Sequence, residues 1–475
     1  MVERRKHSPV LLLPWLCLAA LTLALPARAE PTPNIVLLIG DDHGYPYFGF
    51  MGDENVVTPS MDALAEGGFT FTQAHSTAPY CRPSLLTLIT GLHPVRYVQR
   101  QNRILERKRG EDPEYAFLDD AGRRLWERVE QAAAMRDFDT LPKLLAERGY
   151  VSWQGGKWWE HDYRNGHFSE GMTAGWDLDA FDTNGFFLEM MGADGTELGR
   201  TTMAPLFDFI DRHRERPMFI WYGPALPHTP FDAPYRIGKY YEHKNISESA
   251  RLYYSNVTWW DEGVGALLDH IESRGLLDNT LFVYISDNGW EQAPDAEYLT
   301  TGNIALYGPI HGNGGPKGKG ALYDQSFRSP LIFYWKGRIR GTLNDSSLVS
   351  AMDIVPTVLD LAGVAAPEDL PGRSLKPLFE GGEIDERTEL IGYTDNRRLE
   401  SQPMGTLAEG YYVRTRRWHF LWYRDTGEYE LYDIQRDPGA RHDLAAEFPH
   451  LVERFKRRID EWRDEMGIQQ RIALH

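Results

Sequence analysis

The sequence predicts an α/β fold: a mostly parallel sheet sandwiched by helices, followed by a smaller C-terminal unit of antiparallel strands and a helix. Three observations carry that. Short, continuous apolar runs end in Gly or acidic residues, as strands buried on both faces do. Helical segments with legible caps separate them, so successive strands run parallel with helices on both faces. From about Glu389 the texture changes to short aromatic-rich runs joined by tight turns.

The first 29 residues read as a targeting segment. Arg4, Arg5 and Lys6 precede the apolar stretch VLLLPWLCLAALTLAL, and Ala27-Arg28-Ala29 is a small-x-small cleavage site. The mature chain is therefore expected to be exported, periplasmic or secreted, with no stable membrane span after cleavage; the plainer alternative is a retained membrane anchor. Residues 30–385 are expected to form the main domain and 386–475 a C-terminal subdomain. NIVLLIG (34–40) is the first buried strand. Ser60–Gly68 is a helix with Asp62 in its first turn and Gly67-Gly68 as its stop. Pro83–Gly91 is another, with Pro in its first turn and Gly91 just past its end. After it, Arg96, Arg100, Arg103 and Arg107 fall on one helix face, either a solvated surface or a contact for an anionic polymer. Thr140–Tyr150 has a Thr cap and a terminating Gly. Pro217–Gly223 is the second strand. Val257–Thr280, a helix and turn, feeds the third, Leu281–Gly289. Ser329–Trp335 is the fourth, and Ser350–Val364 a helix that Pro356 breaks or kinks. Residues 411–425 and 429–439 read as antiparallel strands joined at Thr426-Gly427, and Leu451–Met466 as a charged helix.

Composition narrows the function. Hydrophobic residues make up 42% of the chain, ample for a packed core, and the formal net charge is −18. That charge excludes nucleic acid as a partner, and an anionic substrate would need a locally basic pocket. With Cys17 in the leader, Cys81 is left as the mature chain's lone cysteine, so no disulfide framework is expected.

The chemistry-bearing residues gather after strand ends, where open α/β sheets bind ligands. Asp41-Asp42 and Asp287-Asn288 each follow a buried strand. Hard oxygen donors converging from two strand ends suit Ca²⁺ or Mg²⁺, and the plainer reading is loop and helix capping. Cys81 lies at the mouth of the helix that Pro83 opens. Free N–H groups and the helix dipole there would acidify a thiol; the alternative is a buried, inert cysteine. Lys157 and His161, His228, and His311, Lys317 and Lys319 are read either as surface charge or, together, as the basic pocket for an oxyanion. The Gly-rich loop around Lys319 fits close backbone approach to a ligand.

The blocks NIVLLIGDDHGYPYFGFMG, TPSMDALAEGGFTFTQAHSTAPYCRPSLLTLITG, TLPKLLAERGYVSWQGGKWW, PHTPFDAP, LLDNTLFVYISDNG, KGKGALYDQSFRSP, MDIVPTVLDLAGV and ELYDIQRDPGARHDLA follow one another from about residue 33 to 445. In that order they resemble the formylglycine-dependent sulfatases of the alkaline-phosphatase-like superfamily. The resemblance implies an alkaline-phosphatase-like fold and an exported sulfuric ester hydrolase acting on a sulfated carbohydrate, oligosaccharide, polysaccharide or small sulfate ester. It implies that Cys81 is converted to formylglycine by a formylglycine-generating enzyme, and that the aldehyde hydrate attacks the sulfate. It implies Asp41, Asp42, Cys81, Asp287 and Asn288 around a divalent metal, calcium or alternatively magnesium. Lys157, His228 and Lys319 match residues that hold the sulfate or protonate the leaving group. Two positions depart from the family pattern. The motif Cys-x-Pro-Ser-Arg ends here in Leu85, which bears on whether the modifying enzyme accepts Cys81. Gly-Lys-Trp-His becomes Gly-Lys-Trp-Trp, with Trp159 in the histidine's place. The alternatives are a phosphodiester or phosphonate hydrolase of the same superfamily and a catalytically silent relative that binds sulfated glycans.

Overall fold

Residues 1–2, 32–181, 183, 185–292, 315–399 and 402–474 are described by the computed structural model; most of the expected leader (3–29) and His311 lie outside the described residues. From Thr32 onward the chain is one unit. Strand β1 (Asn34–Gly40) is the first apolar run of the sequence, and all of it is buried. Helix α1 (Pro59–Gly67), strand β2 (Phe69–His75) and helices α2 (Cys81–Thr90), α3 (Pro94–Glu111), α4 (Asp120–Ala133) and α5 (Leu141–Ala146) follow. Then come β3 (Val151–Gly156), β4 (Glu170–Gly171), α6 (Phe186–Met191), α7 (Ala204–His213) and β5 (Met218–Gly223). The long α8 (Glu248–Ser273) leads to β6 (Thr280–Ser286), β7 (Arg328–Trp335), β8 (Thr342–Asn344), β9 (Val349–Ser350) and α9 (Ile354–Leu361).

The main sheet runs β4-β3-β5-β1-β6-β7-β2-β8, with β9 also on β2. Its pairings are parallel except that β7 is antiparallel to both neighbours. The expectation of a mostly parallel sheet therefore holds, with the fourth predicted strand reversed. Alternation along β1 divides the core. Ile35, Leu37 and Ile39 face a cluster with Leu86 of α2, Val98 of α3 and Leu145 of α5. Val36 and Leu38 face the other, with Leu64 of α1, Phe209 of α7 and Val264 of α8.

A second sheet is antiparallel: β10 (Glu389–Leu399), β11 (Gln402–Thr415), β12 (Trp418–Tyr423) and β13 (Tyr429–Asp433), followed by α10 (Pro449–Met466). Its apolar face is continuous with the first core cluster through Tyr393, Val413, Phe420 and Phe455. The expected helix at 350–364 is a 3-10 turn over Ala351–Asp353 followed by α9, and Pro356 is not in its middle. It lies in the first turn of α9, where a missing N–H costs nothing. The arginine face of α3 is largely engaged by the protein itself. Arg96 Nη2 donates to Glu465 O at 2.6 Å, and Arg100 Nη2 to Asp137 O at 2.5 Å with its guanidinium over the Phe138 ring. No described helix is long and apolar enough to cross a membrane.

Candidate active site

The topology brings one edge of the sheet to a focus. β3, β5, β1 and β6 are adjacent and parallel, so the residues after their C-terminal ends line up as Lys157, His228, Asp41-Asp42 and Asp287-Asn288. β2 delivers the turn that opens α2 to the same edge. Because β7 is reversed, the loop before it, which carries Lys319, also arrives there. Two glycines shape the approach. Gly156 has φ +90°, and a Cβ on it would sit 1.9 Å from Gly223 O, so the chain turns into Lys157 only as glycine. Gly320, at φ +84°, does the same beside the Tyr80 ring.

Cys81 is the first residue of α2, not a residue ahead of it. Its Sγ accepts from Lys157 Nζ at 2.9 Å and Lys319 Nζ at 3.2 Å. It lies 3.7 Å from Asp41 Oδ1 and 3.5 Å from Asn288 Oδ1. Lys157 Nζ also donates to Asp41 Oδ1 at 2.5 Å. Lys319 reaches Asp42 Oδ1 at 2.7 Å, and Asn288 Nδ2 donates to Asp42 Oδ1 at 2.8 Å. His228 Nε2 is 3.7 Å from Asp42 Oδ2, while its Nδ1 is 2.6 Å from Thr229 O. That contact makes Nδ1 the protonated nitrogen and leaves the Nε2 lone pair facing the site. Asp42 N donates to Asp287 Oδ1 at 3.2 Å, so the eight residues that the family resemblance singles out lie within one contact network.

The electrostatics are those of a buried cluster in which carboxylates and ammonium groups alternate. Burial would raise the Asp42 carboxyl, but Lys319, His228 and Lys157 outweigh it and hold it well below the usual carboxylate range. Asp287 goes the other way: burial, with Asp41 beside it, pushes its carboxyl up to about 7. Burial lowers His228 to about 4, so its imidazole is neutral at pH 7. The thiol contradicts the expectation of acidification. Burial, with Asp287 nearby, drives Cys81 well above the ordinary thiol value, and the lysines only partly oppose this. The helix-terminus field is weaker than desolvation here.

A divalent cation fits these residues. Donor atoms of Asp41, Asp42, Cys81 and Asp287 all lie within 4.8 Å of one another, and all four residues are buried. Asp41 Oδ2 and Asp287 Oδ2 are buried without a hydrogen-bond partner. Orphaned carboxylate oxygens in a site whose neighbouring acid is forced toward protonation are what a hard cation relieves.

Other sequence candidates go elsewhere. Lys317 Nζ donates to Gly439 O at 3.2 Å and to Ala440 O, on the C-terminal side. The His161 ring packs edge-on against Trp176, 4.9 Å between centroids. Trp159 is half-buried and packs edge-on against Phe187 at 5.6 Å. Leu85 is buried in the first core cluster. Arg82 turns away from the site into a two-pronged pair with Glu160, Nε to Oε1 at 2.8 Å and Nη2 to Oε2 at 3.0 Å. Sequence reasoning missed Glu160. Its one signal was an acid within three residues of Lys157.

The Sulfatase family model matches residues 33–364, and the model described as N-sulphoglucosamine sulphohydrolase, C-terminal, matches residues 312–465. The N-acetylgalactosamine-6-sulfatase of Canis lupus familiaris is 27% identical over 425 residues, 82% of this chain and 74% of its own. Arylsulfatase A of Homo sapiens is 25% identical over 499 residues, 92% of this chain and 89% of its own. Among solved structures, Ps i-CgsB shares the fold with a TM-score of 0.67 at 24% identity, covering 91% of this chain and 93% of its own.

Proposed function

Because this chain belongs to the sulfatases, sulfuric ester hydrolases of the alkaline-phosphatase-like superfamily, we propose that it hydrolyses the sulfate ester of a sulfated carbohydrate with residue 81 as the nucleophile's precursor. The observation that carries this is Cys81 Sγ between the ammonium groups of buried Lys157 and part-buried Lys319, at 2.9 and 3.2 Å, beside a cluster of carboxylates. The relatives' names supply the sugar: a sulfated hexosamine is the substrate of the first. Export to the periplasm or medium, as the N-terminal leader implies, puts the enzyme where such glycans are met.

Asp41, Asp42, Asp287 and Asn288 would hold calcium, or magnesium, with residue 81 beside them. The cation supplies charge neutralisation for sulfate oxygens. Converted to formylglycine, residue 81 supplies as its hydrate an oxygen nucleophile that no standard side chain offers. The rest belongs to the chain's own groups. Lys157 and Lys319 take the negative charge that develops on the sulfate oxygens, from positions fixed by Asp41 and Asp42, so little reorganisation accompanies the reaction. His228 carries a proton at Nε2 to or from the ester and hydrate oxygens, while its Nδ1–H stays on Thr229 O.

Leu85 favours a second reading, a silent glycan-binding relative in which Cys81 stays a thiol. One experiment divides the two. Sulfate release is measured from 6-O-sulfated hexosamines with the wild type and Cys81→Ala, alongside mass spectrometry of the peptide containing residue 81. An aldehyde mass at residue 81 and turnover lost in Cys81→Ala are expected. An unmodified thiol throughout, with no sulfate released, overturns the enzyme reading.

A further inference from the structure

Arg128 is a half-buried cation without a carboxylate partner among the described residues. It projects from α4, in the stretch between the nucleophile helix and β3. Its Nε donates to Met190 Sδ at 3.2 Å, and its guanidinium lies 5.7 Å over the Trp176 ring. Neither contact balances a full charge. Burial lowers its pKa to about 10, and the fields of Arg82 and then Glu160 both reach it. An arginine held this way is stabilised when an incoming anion supplies the missing charge.

Its place relative to the candidate site follows from α6. Phe187 and Met190 are three residues apart and share a face of that helix. Phe187 meets Trp159, and Met190 meets Arg128. The helix is pinned to the Lys157 segment by Trp158 N donating to Met191 O at 2.7 Å. Phe187 is 37% exposed, while half-buried Trp159 also packs against the first core cluster, so the pair is open on its Phe187 side. An aromatic pair and a guanidinium with no carboxylate partner among the described residues therefore share one face of α6, whose end is bonded beside Lys157.

Resting on the sulfatase reading above, we propose that Arg128 and the Trp159–Phe187 face form a subsite for a second oxyanion, a sulfate or a carboxylate, on the sugar that carries the scissile ester or on its neighbour. The ring's apolar face stacks on the aromatic pair, and the guanidinium takes the oxyanion in two-pronged geometry. Trp159 replaces the histidine of the family pattern, so the departure serves substrate choice rather than chemistry.

Binding is measured by calorimetry in a Cys81→Ala background, which keeps the sugars intact. The probes are D-glucosamine 6-O-sulfate, its 2-N,6-O-disulfate, and a 6-O-sulfated disaccharide bearing a uronate carboxylate. The two doubly charged probes distinguish the oxyanions. The background chain should prefer at least one of them over the monosulfate. Arg128→Gln should cut that preference about tenfold, and Arg128→Lys, which keeps the charge and loses the fork, should retain part of it. Thermal unfolding of both variants checks that the fold is kept. An unchanged preference ratio in Arg128→Gln overturns the subsite and leaves the sulfatase reading standing. Failure of every probe to bind, together with no sulfate released by the wild type, overturns both.

Discussion

Leu85 is 5% exposed and lies in the same apolar cluster as Leu86, Leu88 and Ile89. A guanidinium there would stand among the apolar side chains of that cluster, and Glu160 is already engaged by Arg82. Leu85→Arg is therefore expected to lower stability by roughly 3–5 kcal/mol, the scale of an uncompensated buried charge, and not to raise turnover. Urea unfolding and sulfate release read the two effects. A stable, more active variant would show that position 85 faces the site after all. Glu160→Gln should cost stability on the same scale, since it leaves Arg82 buried without its counter-charge.

The C-terminal unit carries none of the site residues, yet it holds the chain around Lys319 at several points. Lys317 reaches carbonyls at Gly439 and Ala440, and Gln325 Nε2 donates to Pro438 O at 3.1 Å. His419 Nε2 meets Leu322 O at 2.6 Å, and Tyr323 donates to Glu430 at 2.8 Å. Arg414 of β11 donates to Asp324 Oδ1 at 2.7 Å, an oxygen it shares with His75 of β2. Arg414→Leu should accordingly slow turnover about tenfold to a hundredfold while Lys319 itself is unchanged, because loss of the anchor misplaces the ammonium. Steady-state kinetics with an unaltered kcat would detach the sheet from catalysis. These links explain what was and was not legible beforehand. The apolar runs at 34–40 and 280–286, and the acids after them, announce themselves within one window of sequence. Strand β2, FTFTQAH, does not, since its threonines and glutamine mask a strand buried on both sides. The reversal of β7 is likewise silent, because a buried run reads the same in either direction. Arg82–Glu160 and Asp324–Arg414 join residues 78 and 90 positions apart, and local periodicity carries no information on such pairings.

The whole molecule should be sensitive to mild acid. Burial lowers His93 to about 3, with Arg96 adding to it, and lowers His419 to about 4. Unfolded histidines titrate near 6.5, so below that pH the unfolded chain binds protons that the folded one refuses. Stability contributed by these residues is full above about pH 6.5 and drains away as pH falls. By pH 5 the loss is about 2 kcal/mol for each, or about 4 kcal/mol together. Urea unfolding at pH 7.5 and 5 measures it, and His93→Gln should shrink the difference between the two pH values by about 2 kcal/mol. A difference left intact would mean that His93 protonates in the folded state. Burial has one more effect, on timing. Cys81, Arg82, Ser84 and Leu85 are each 6% exposed or less, and Pro83 between them is buried. An enzyme that must grip this pentapeptide to remake its first side chain finds nothing to hold once the sheet has closed. On the proposed reading, conversion of residue 81 would therefore have to precede folding, and a chain folded first would keep its thiol.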